Sequence, residues 1–195
     1  MIDAPLIVAP ESAPTSATHP RLALRFSEAD VAKWSRRFSA DSVEARIIEY
    51  GREANTLGCF SKEALCALCN WKSPRSRPLV LANPAAYVEE VTATSLLARS
   101  ERLRIEVLLL LRGVGWPSAS VLLHFGHSNS YPILDVRALW SLGCDASVRY
   151  TFGLWWEYVE VCRGIAKRTG LSMRELDQAL WQYAAEQQGT LGMSA

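Results

Sequence analysis

Apolar residues recur every three to four positions along most of the chain beyond residue 20, which is the period of an amphipathic helix. No stretch alternates apolar and polar residues between turns, as a half-buried strand would. The pattern therefore predicts an all-α protein of about eight to ten short helices. Residues that favour helix starts mark where they begin, near Ser27, Asp41 or Ser42, Ser61, Asn83-Pro84, Ser100, Trp116-Pro117, Asp135, Phe152 and Ser172.

The first 20 residues differ from the rest because they are rich in Ala, Pro, Ser and Thr and have no hydrophobic period. We predict a mobile tail over residues 1–20 and a folded domain over residues 21–195. Hydrophobic residues make up 49% of the chain and charged residues 21%, as is usual for globular proteins. Since the net charge is only +1, any nucleic-acid-binding surface has to be a local patch.

Three features of the sequence bear on where in the cell the protein is found. No apolar run reaches the roughly 18 residues of a membrane span, and the N-terminus lacks the positively charged segment of a secretory signal. The five cysteines are an odd number, which does not indicate a disulfide framework. We expect a cytoplasmic protein without membrane contact, and a monomer, although the sequence does not fix the oligomeric state.

Two candidate functional features lie between Leu110 and Trp140. The turn Gly113-Val114-Gly115 directly precedes a predicted helix, so its N–H groups can bind an anion such as a DNA phosphate. Val114 is expected to anchor this turn in the core. A tight turn without any ligand is the alternative. The second feature is Asp135, an acidic residue in an apolar setting.

The strings LRGVGWPSASVLLHF and SNSYPILD resemble the helix-hairpin-helix (HhH-GPD) superfamily of base-excision DNA glycosylases. The string YPILD is similar to the FPILD of adenine-mismatch glycosylases. The resemblance covers Leu110 to Trp140, and a looser match of helical pattern extends back to Ser61. It implies two helical lobes with a cleft for DNA and a flipped base between them, and it makes Asp135 the catalytic carboxylate.

Departures from the superfamily pattern limit the reaction that we expect the protein to catalyse. Bifunctional members carry a lysine at the position of Pro117, and proline cannot form a Schiff base with the sugar. Only Cys144 and Cys162 follow Asp135, too few for an iron–sulfur cluster. A zinc site at Cys66 and Cys69 lacks an obvious fourth ligand. The resemblance thus implies a monofunctional enzyme, and we expect no metal and no cofactor.

Asp135 could stabilise the positive charge that develops on the deoxyribose as the base departs. We expect Ile133, Leu134 and Val136 to exclude water and to raise the pKa of Asp135 by desolvation. The alternative role for Asp135 is to cap the helix VRALWSLG, and the two roles are compatible. Arg137 is expected to contact a phosphate or to pair with an acid.

The stretch from Cys69 to Pro78 is the candidate wedge loop that opens the duplex. Its cations are expected to bind phosphates, and one of two larger side chains is expected to enter the base stack. A solvated basic loop with its tryptophan in the core is the alternative. The phosphate-binding candidates are Lys72, Arg75 and Arg77, and the wedge candidates are Asn70 and Trp71.

Seven tryptophans offer aromatic surface for a flipped base. Trp116 and Trp140 are the pocket candidates, because they lie nearest in sequence to the hairpin and to Asp135. Trp181 is assigned to packing.

These features predict a DNA glycosylase that hydrolyses the N-glycosidic bond of a damaged, mispaired or modified base in double-stranded DNA. The main alternative is a non-enzymatic helix-hairpin-helix DNA-binding protein. A helical interaction protein without DNA contact is the third.

Overall fold

The computed structural model describes residues 22–144 and 148–188, so the predicted tail over residues 1–20 lies outside the described ranges. The all-α prediction is confirmed for these ranges, which contain helices and no strand. Ten α-helices occur there: α1 (Val31–Arg37), α2 (Glu44–Leu57), α3 (Lys62–Lys72), α4 (Arg77–Leu81), α5 (Ala85–Leu97), α6 (Glu101–Glu106), α7 (Trp116–Gly126), α8 (Val136–Ser141), α9 (Phe152–Thr169) and α10 (Met173–Gln187).

Side-chain caps explain why several helices begin where the sequence predicts. The Ser61 hydroxyl accepts the Ala64 N–H at the start of α3. Ser172 and Glu175 form a reciprocal capping box at the start of α10. These contacts satisfy N–H groups that have no partner within their helix.

The segment from Ser100 to Gly113 is not one continuous α-helix. Helix α6 ends at Glu106, and Val107–Leu110 form a 3₁₀ helix. Ile105, Leu108, Leu111 and Val114 are all buried, and their spacing is three residues. A 3₁₀ helix has three residues per turn, so it keeps such a series on one face, whereas an α-helix would rotate it away.

The predicted loop from Cys69 to Pro78 is also largely helical. Residues Cys69 to Lys72 complete α3, and a 3₁₀ turn over Pro74–Ser76 leads into α4. Pro74 and Pro78 both lie in first turns, where a missing N–H costs no hydrogen bond. This segment is therefore a fixed helical corner.

Two sets of helices surround the core. Helix α7 is buried on most sides, through Ala119, Val121, Leu122 and Leu123, and packs against α2 and α3. Helix α10 packs against α1, α8 and α9. Such extensive apolar burial is the main favourable contribution to folding.

The Gly113 turn, residues 111–115, is held against α4 and the start of α5. Gly113 has a φ of 78°, and a Cβ atom there would lie 2.9 Å from Leu79 Cβ and 2.9 Å from Val80 Cγ2. The buried Asn83 side chain accepts the Arg112 N–H at 2.9 Å and donates to the Arg112 carbonyl at 3.0 Å. The turn therefore requires a glycine and has a defined position.

We predict that Gly113→Ala destabilises the protein more than Gly58→Ala. Both glycines have similar positive φ values, 78° and 76°, so alanine costs about 1–2 kcal/mol at either position. At Gly58 no atom lies within 4 Å of the added Cβ, whereas at Gly113 Leu79 and Val80 must move. That crowding adds about 1–3 kcal/mol. Urea denaturation measures both losses of unfolding free energy, and equal losses would contradict the tight packing of the turn.

Candidate active site

A cleft of about 560 Å³ lies between the end of α1, the start of α2, the end of α3 and α10. Charged and aromatic side chains make up most of its wall. Its charged residues are Arg37, Asp41, Glu44, Lys72, Asp135, Arg174 and Asp177, and its aromatic residues are Phe38, Trp71 and Trp181.

Asp135 reaches this cleft from the start of α8, where it is the N-cap residue as predicted. Its Oδ1 accepts the Arg137 N–H at 2.8 Å, and its Oδ2 accepts a hydrogen bond from Lys72 Nζ at 2.6 Å. The side chain is 20% exposed. Both carboxylate oxygens thus have a partner, which fixes the orientation of the group.

The loop that precedes Asp135 is bound to the core through its backbone. The Leu134 N–H donates to Ser120 Oγ at 2.8 Å, and the Tyr158 hydroxyl donates to the Ile133 carbonyl at 2.9 Å. Ile133 and Leu134 are buried as predicted, but Val136 is 49% exposed. Hydrogen bonds from α7 and α9 therefore set the position of Asp135.

The predicted rise in the pKa of Asp135 is wrong. Burial is the largest influence and does raise the pKa, but Lys72 and the Arg137 N–H favour the carboxylate and together lower the pKa below its ordinary value. Lys72 comes from α3, 63 residues earlier in the chain. Predicted to bind a DNA phosphate, Lys72 is instead paired with Asp135.

A second set of charged residues, Arg174, Glu44 and Asp177, lies on the α10 side of the cleft and was not predicted from the sequence. Arg174 Nε donates to Glu44 Oε1 at 2.8 Å, and Arg174 Nη1 donates to Asp177 Oδ2. The Arg174 guanidinium also lies over the rings of Phe38 at 5.4 Å and Trp71 at 5.7 Å. Arg174 therefore joins α2, α10 and two aromatic walls of the cleft.

Asp177 differs from Asp135 in the direction of its pKa shift. Burial raises its pKa to about 6, because the effect of burial outweighs the attraction of Arg174 and Lys72, and the Asp135 carboxylate adds repulsion. The two carboxyl groups of one cleft are thus shifted in opposite directions.

The aromatic residues of the cleft were predicted only in part. Trp71 lines it, donates from Nε1 to Asp41 Oδ2 at 3.1 Å and packs edge-on against Phe125. Trp116 and Trp140 do not line the cleft. Trp140 instead stacks on Tyr183 with ring centroids 5.9 Å apart, and Trp116 is the first residue of α7.

Trp181 lines the cleft, although the sequence analysis assigned it to packing. The Arg137 guanidinium lies 4.4 Å from the centre of the Trp181 ring. Arg137 forms no ion pair with an acid of the described residues, so the predicted acid pair is absent and the contact is with an aromatic face.

The remaining predicted DNA contacts lie outside the cleft. Arg75 and Arg77 are exposed on either side of Ser76, whose carbonyl is 3.0 Å from the position of a Cβ on Gly113. Val114 is buried as predicted, and Gly115 is the exposed N-cap of α7. Asn70 is exposed on α3 and does not line the cleft.

The chain matches no protein-family model, no curated protein and no solved structure. Across the described ranges, no group of three or more His, Cys, Asp or Glu side chains is placed to hold a metal ion. Nor does this part of the chain contain a helix long and apolar enough to cross a membrane.

We predict that Asp177 makes stability depend on pH between about 4 and 7. Its folded pKa of about 6 lies above the unfolded value of about 3.9, so its contribution is fully present below pH 4 and lost as the pH rises through 6. The unfolding free energy of the parent, minus that of Asp177→Asn, should fall by about 2–3 kcal/mol over this range. Denaturation at a series of pH values measures the difference.

Asp30→Asn is the matched control, since Asp30 is a half-exposed carboxylate at the start of α1. If the parent and Asp177→Asn show parallel pH profiles from 4 to 7, the protonation assigned to Asp177 is contradicted.

Proposed function

We propose that the protein is a monofunctional helix-hairpin-helix DNA glycosylase, with two helical lobes and a DNA-binding cleft between them. It hydrolyses the N-glycosidic bond of a damaged, mispaired or modified base in double-stranded DNA. The observation that carries this proposal is the position of Asp135, an oriented carboxylate in an open cleft lined by Trp71 and Trp181. The volume of the cleft falls in the range of small-ligand sites, and aromatic faces hold flipped bases.

The reaction needs a negative charge near the sugar. As the bond between C1′ and the base nitrogen lengthens, positive charge develops on the deoxyribose, and an anion beside it lowers the barrier. Because its pKa is lowered, Asp135 is ionised at neutral pH. Water then adds to C1′, and the carboxylate can accept its proton.

Lys72 supports the same assignment. Its ammonium group lies 2.6 Å from Asp135 Oδ2 and favours the ionised carboxylate. Pro117 at the hairpin position cannot form a Schiff base with the sugar, and this favours simple hydrolysis, which leaves an abasic site in an intact strand.

The Gly113 turn supplies the proposed contact with the DNA backbone. No side chain caps the N-terminus of the 11-residue helix α7. Apart from Pro117, which has no N–H, the residues of its first turn have N–H groups without a partner inside the helix, and these can bind a phosphate. Arg75, Arg77 and Arg112 are exposed around this turn and form no ion pair within the described ranges. We call these three side chains the hairpin arginines.

A non-enzymatic DNA-binding protein would also keep the turn and the hairpin arginines. It would have no need for a carboxylate in a cleft, and a capping aspartate could equally lie against a filled core. Since Asp135 lines an open cleft, the enzymatic proposal is the better supported of the two.

We predict that Asp135→Asn lowers the rate of base excision on the order of 100-fold or more while DNA affinity is retained. The amide keeps the size of the side chain but carries no charge. The measurement is single-turnover cleavage on labelled duplexes that each carry one uracil, hypoxanthine, 8-oxoguanine or 7-methylguanine, with alkali used to reveal abasic sites. Asp30→Asn is the control. Excision by Asp135→Asn at the parent rate would exclude this mechanism.

We predict that replacing the hairpin arginines by alanine weakens duplex binding and its dependence on salt. Each lost phosphate contact should reduce the slope of log affinity against log salt by about 0.9. Fluorescence anisotropy between 50 and 200 mM salt measures the slope. Arg168→Ala is the control, because Arg168 is an exposed cation paired with Glu28. If both variants bind alike, the turn is not the DNA contact.

A further inference from the structure

A second carboxyl group opens onto the cleft that holds Asp135. Asp177 lies on α10 with its side chain 9% exposed, and its Oδ2 is bound by Arg174. Its Oδ1 has no hydrogen-bond partner in the described residues, and it is not among the unpartnered atoms sealed from solvent. Because Asp177 lines the cleft, Oδ1 is the oxygen available to a molecule bound there.

The charges around Asp177 leave this carboxyl group without a cation of its own. Glu44, Asp135 and Asp177 share two cations, Arg174 and Lys72. Lys72 is engaged with Asp135, and Arg174 is divided between Glu44 and Asp177. A buried carboxyl group without a full countercharge retains its proton more readily than a fully paired one does.

Two other cations of the elements packed against α10 are engaged elsewhere. Arg37 of α1 lines the cleft but is paired with Glu186, and Arg137 of α8 lies over the Trp181 ring. Helix α9 presents Tyr158 and Cys162 to Asp177, and burial raises the pKa of both, so both are neutral at physiological pH. Helix α3 contributes Lys72 and the start of α8 contributes Asp135. The pKa of Asp177 is thus set by its burial and by the charged residues of the cleft.

We propose that Asp177 is a second catalytic residue of the cleft and that it donates the proton with which the base departs. This inference rests on the proposed glycosylase function. It assigns different tasks to the two carboxyl groups: Asp135 stabilises the sugar as an anion, and Asp177 acts on the leaving base as an acid.

Departure of the base and addition of water transfer protons and electron pairs as follows. The proton moves from Asp177 to a ring nitrogen of the base, and the electron pair of the bond to C1′ goes to the base, which leaves neutral. Water adds to C1′ and gives one proton to Asp135, which releases it to solvent. Asp177 then recovers a proton from solvent, so the net reaction consumes one water molecule.

This division of tasks defines the class of base. An acid assists a neutral base that has a basic ring nitrogen remote from the sugar, such as N7 of a purine. It gives no assistance to a base that is already cationic. A carboxyl pair whose environments separate the two protonation states is the arrangement that such acid and anion roles require.

The test compares the parent, Asp177→Asn and Asp177→Glu on duplexes with one hypoxanthine, one uracil or one 7-methylguanine, between pH 5 and 8. We expect the parent to excise hypoxanthine, and its rate to fall about tenfold per pH unit above about 6. Asp177→Asn should lose on the order of 100-fold and the dependence on pH, and Asp177→Glu should restore part of the rate. Excision of 7-methylguanine, which is already cationic, should not change.

Three results would overturn the inference while leaving the proposed function intact. They are excision of hypoxanthine by Asp177→Asn at the parent rate, an equal loss on hypoxanthine and 7-methylguanine, and activity of the parent on uracil or 7-methylguanine alone. Duplex affinity and the melting temperature of each variant identify a variant that has failed to fold. The ¹³C carboxyl resonance of Asp177 in the parent then provides the test, and titration in the ordinary range of aspartates would overturn the inference. If the parent excises no base, the proposed function fails, and this inference fails with it.

Discussion

The ion pair between Lys72 and Asp135 is the contact on which the candidate site depends. It joins the last residue of α3 to the N-cap of α8 across one wall of the cleft. Burial raises the pKa of Asp135, whereas Lys72 lowers it and so favours the carboxylate, the form with a charge to offer a cationic sugar. The pair therefore stabilises a buried anion at a helix cap, and this explains how one side chain can serve the fold and the proposed reaction.

The rest of the fold holds the two partners of this pair in place. Ser120 on α7 and Tyr158 on α9 bind the backbone of the loop before Asp135, so the carboxylate cannot shift without breaking core hydrogen bonds. The proline-containing corner after α3 leads into α4, which packs against the Gly113 turn, and Asn83 fixes the backbone of that turn. The proposed catalytic group and the proposed phosphate contact are thus parts of one rigid framework, as preorganised electrostatic catalysis requires.

Local features were predictable from the sequence, and contacts between distant segments were not. The caps at Ser61 and Ser172 and the cap at Asp135 depend on residues within one turn, so their positions could be predicted. The 3₁₀ segment gave no such signal, because residues 107–111 are all apolar and the sequence does not show which of them is buried.

The partners of Asp135 and the cleft residues of α10 gave no comparable signal. Lys72 and Asp177 come near Asp135 only through packing of distant segments, and Trp181 has the sequence surroundings of a core residue.

The most direct test of the proposed active site is a crystal structure of Asp135→Asn bound to a duplex with a tetrahydrofuran abasic-site analogue. We predict that the tetrahydrofuran ring lies in the cleft beside the substituted residue 135, with a phosphate on the N–H groups of the Gly113 turn. DNA bound elsewhere, with the cleft empty, would contradict it.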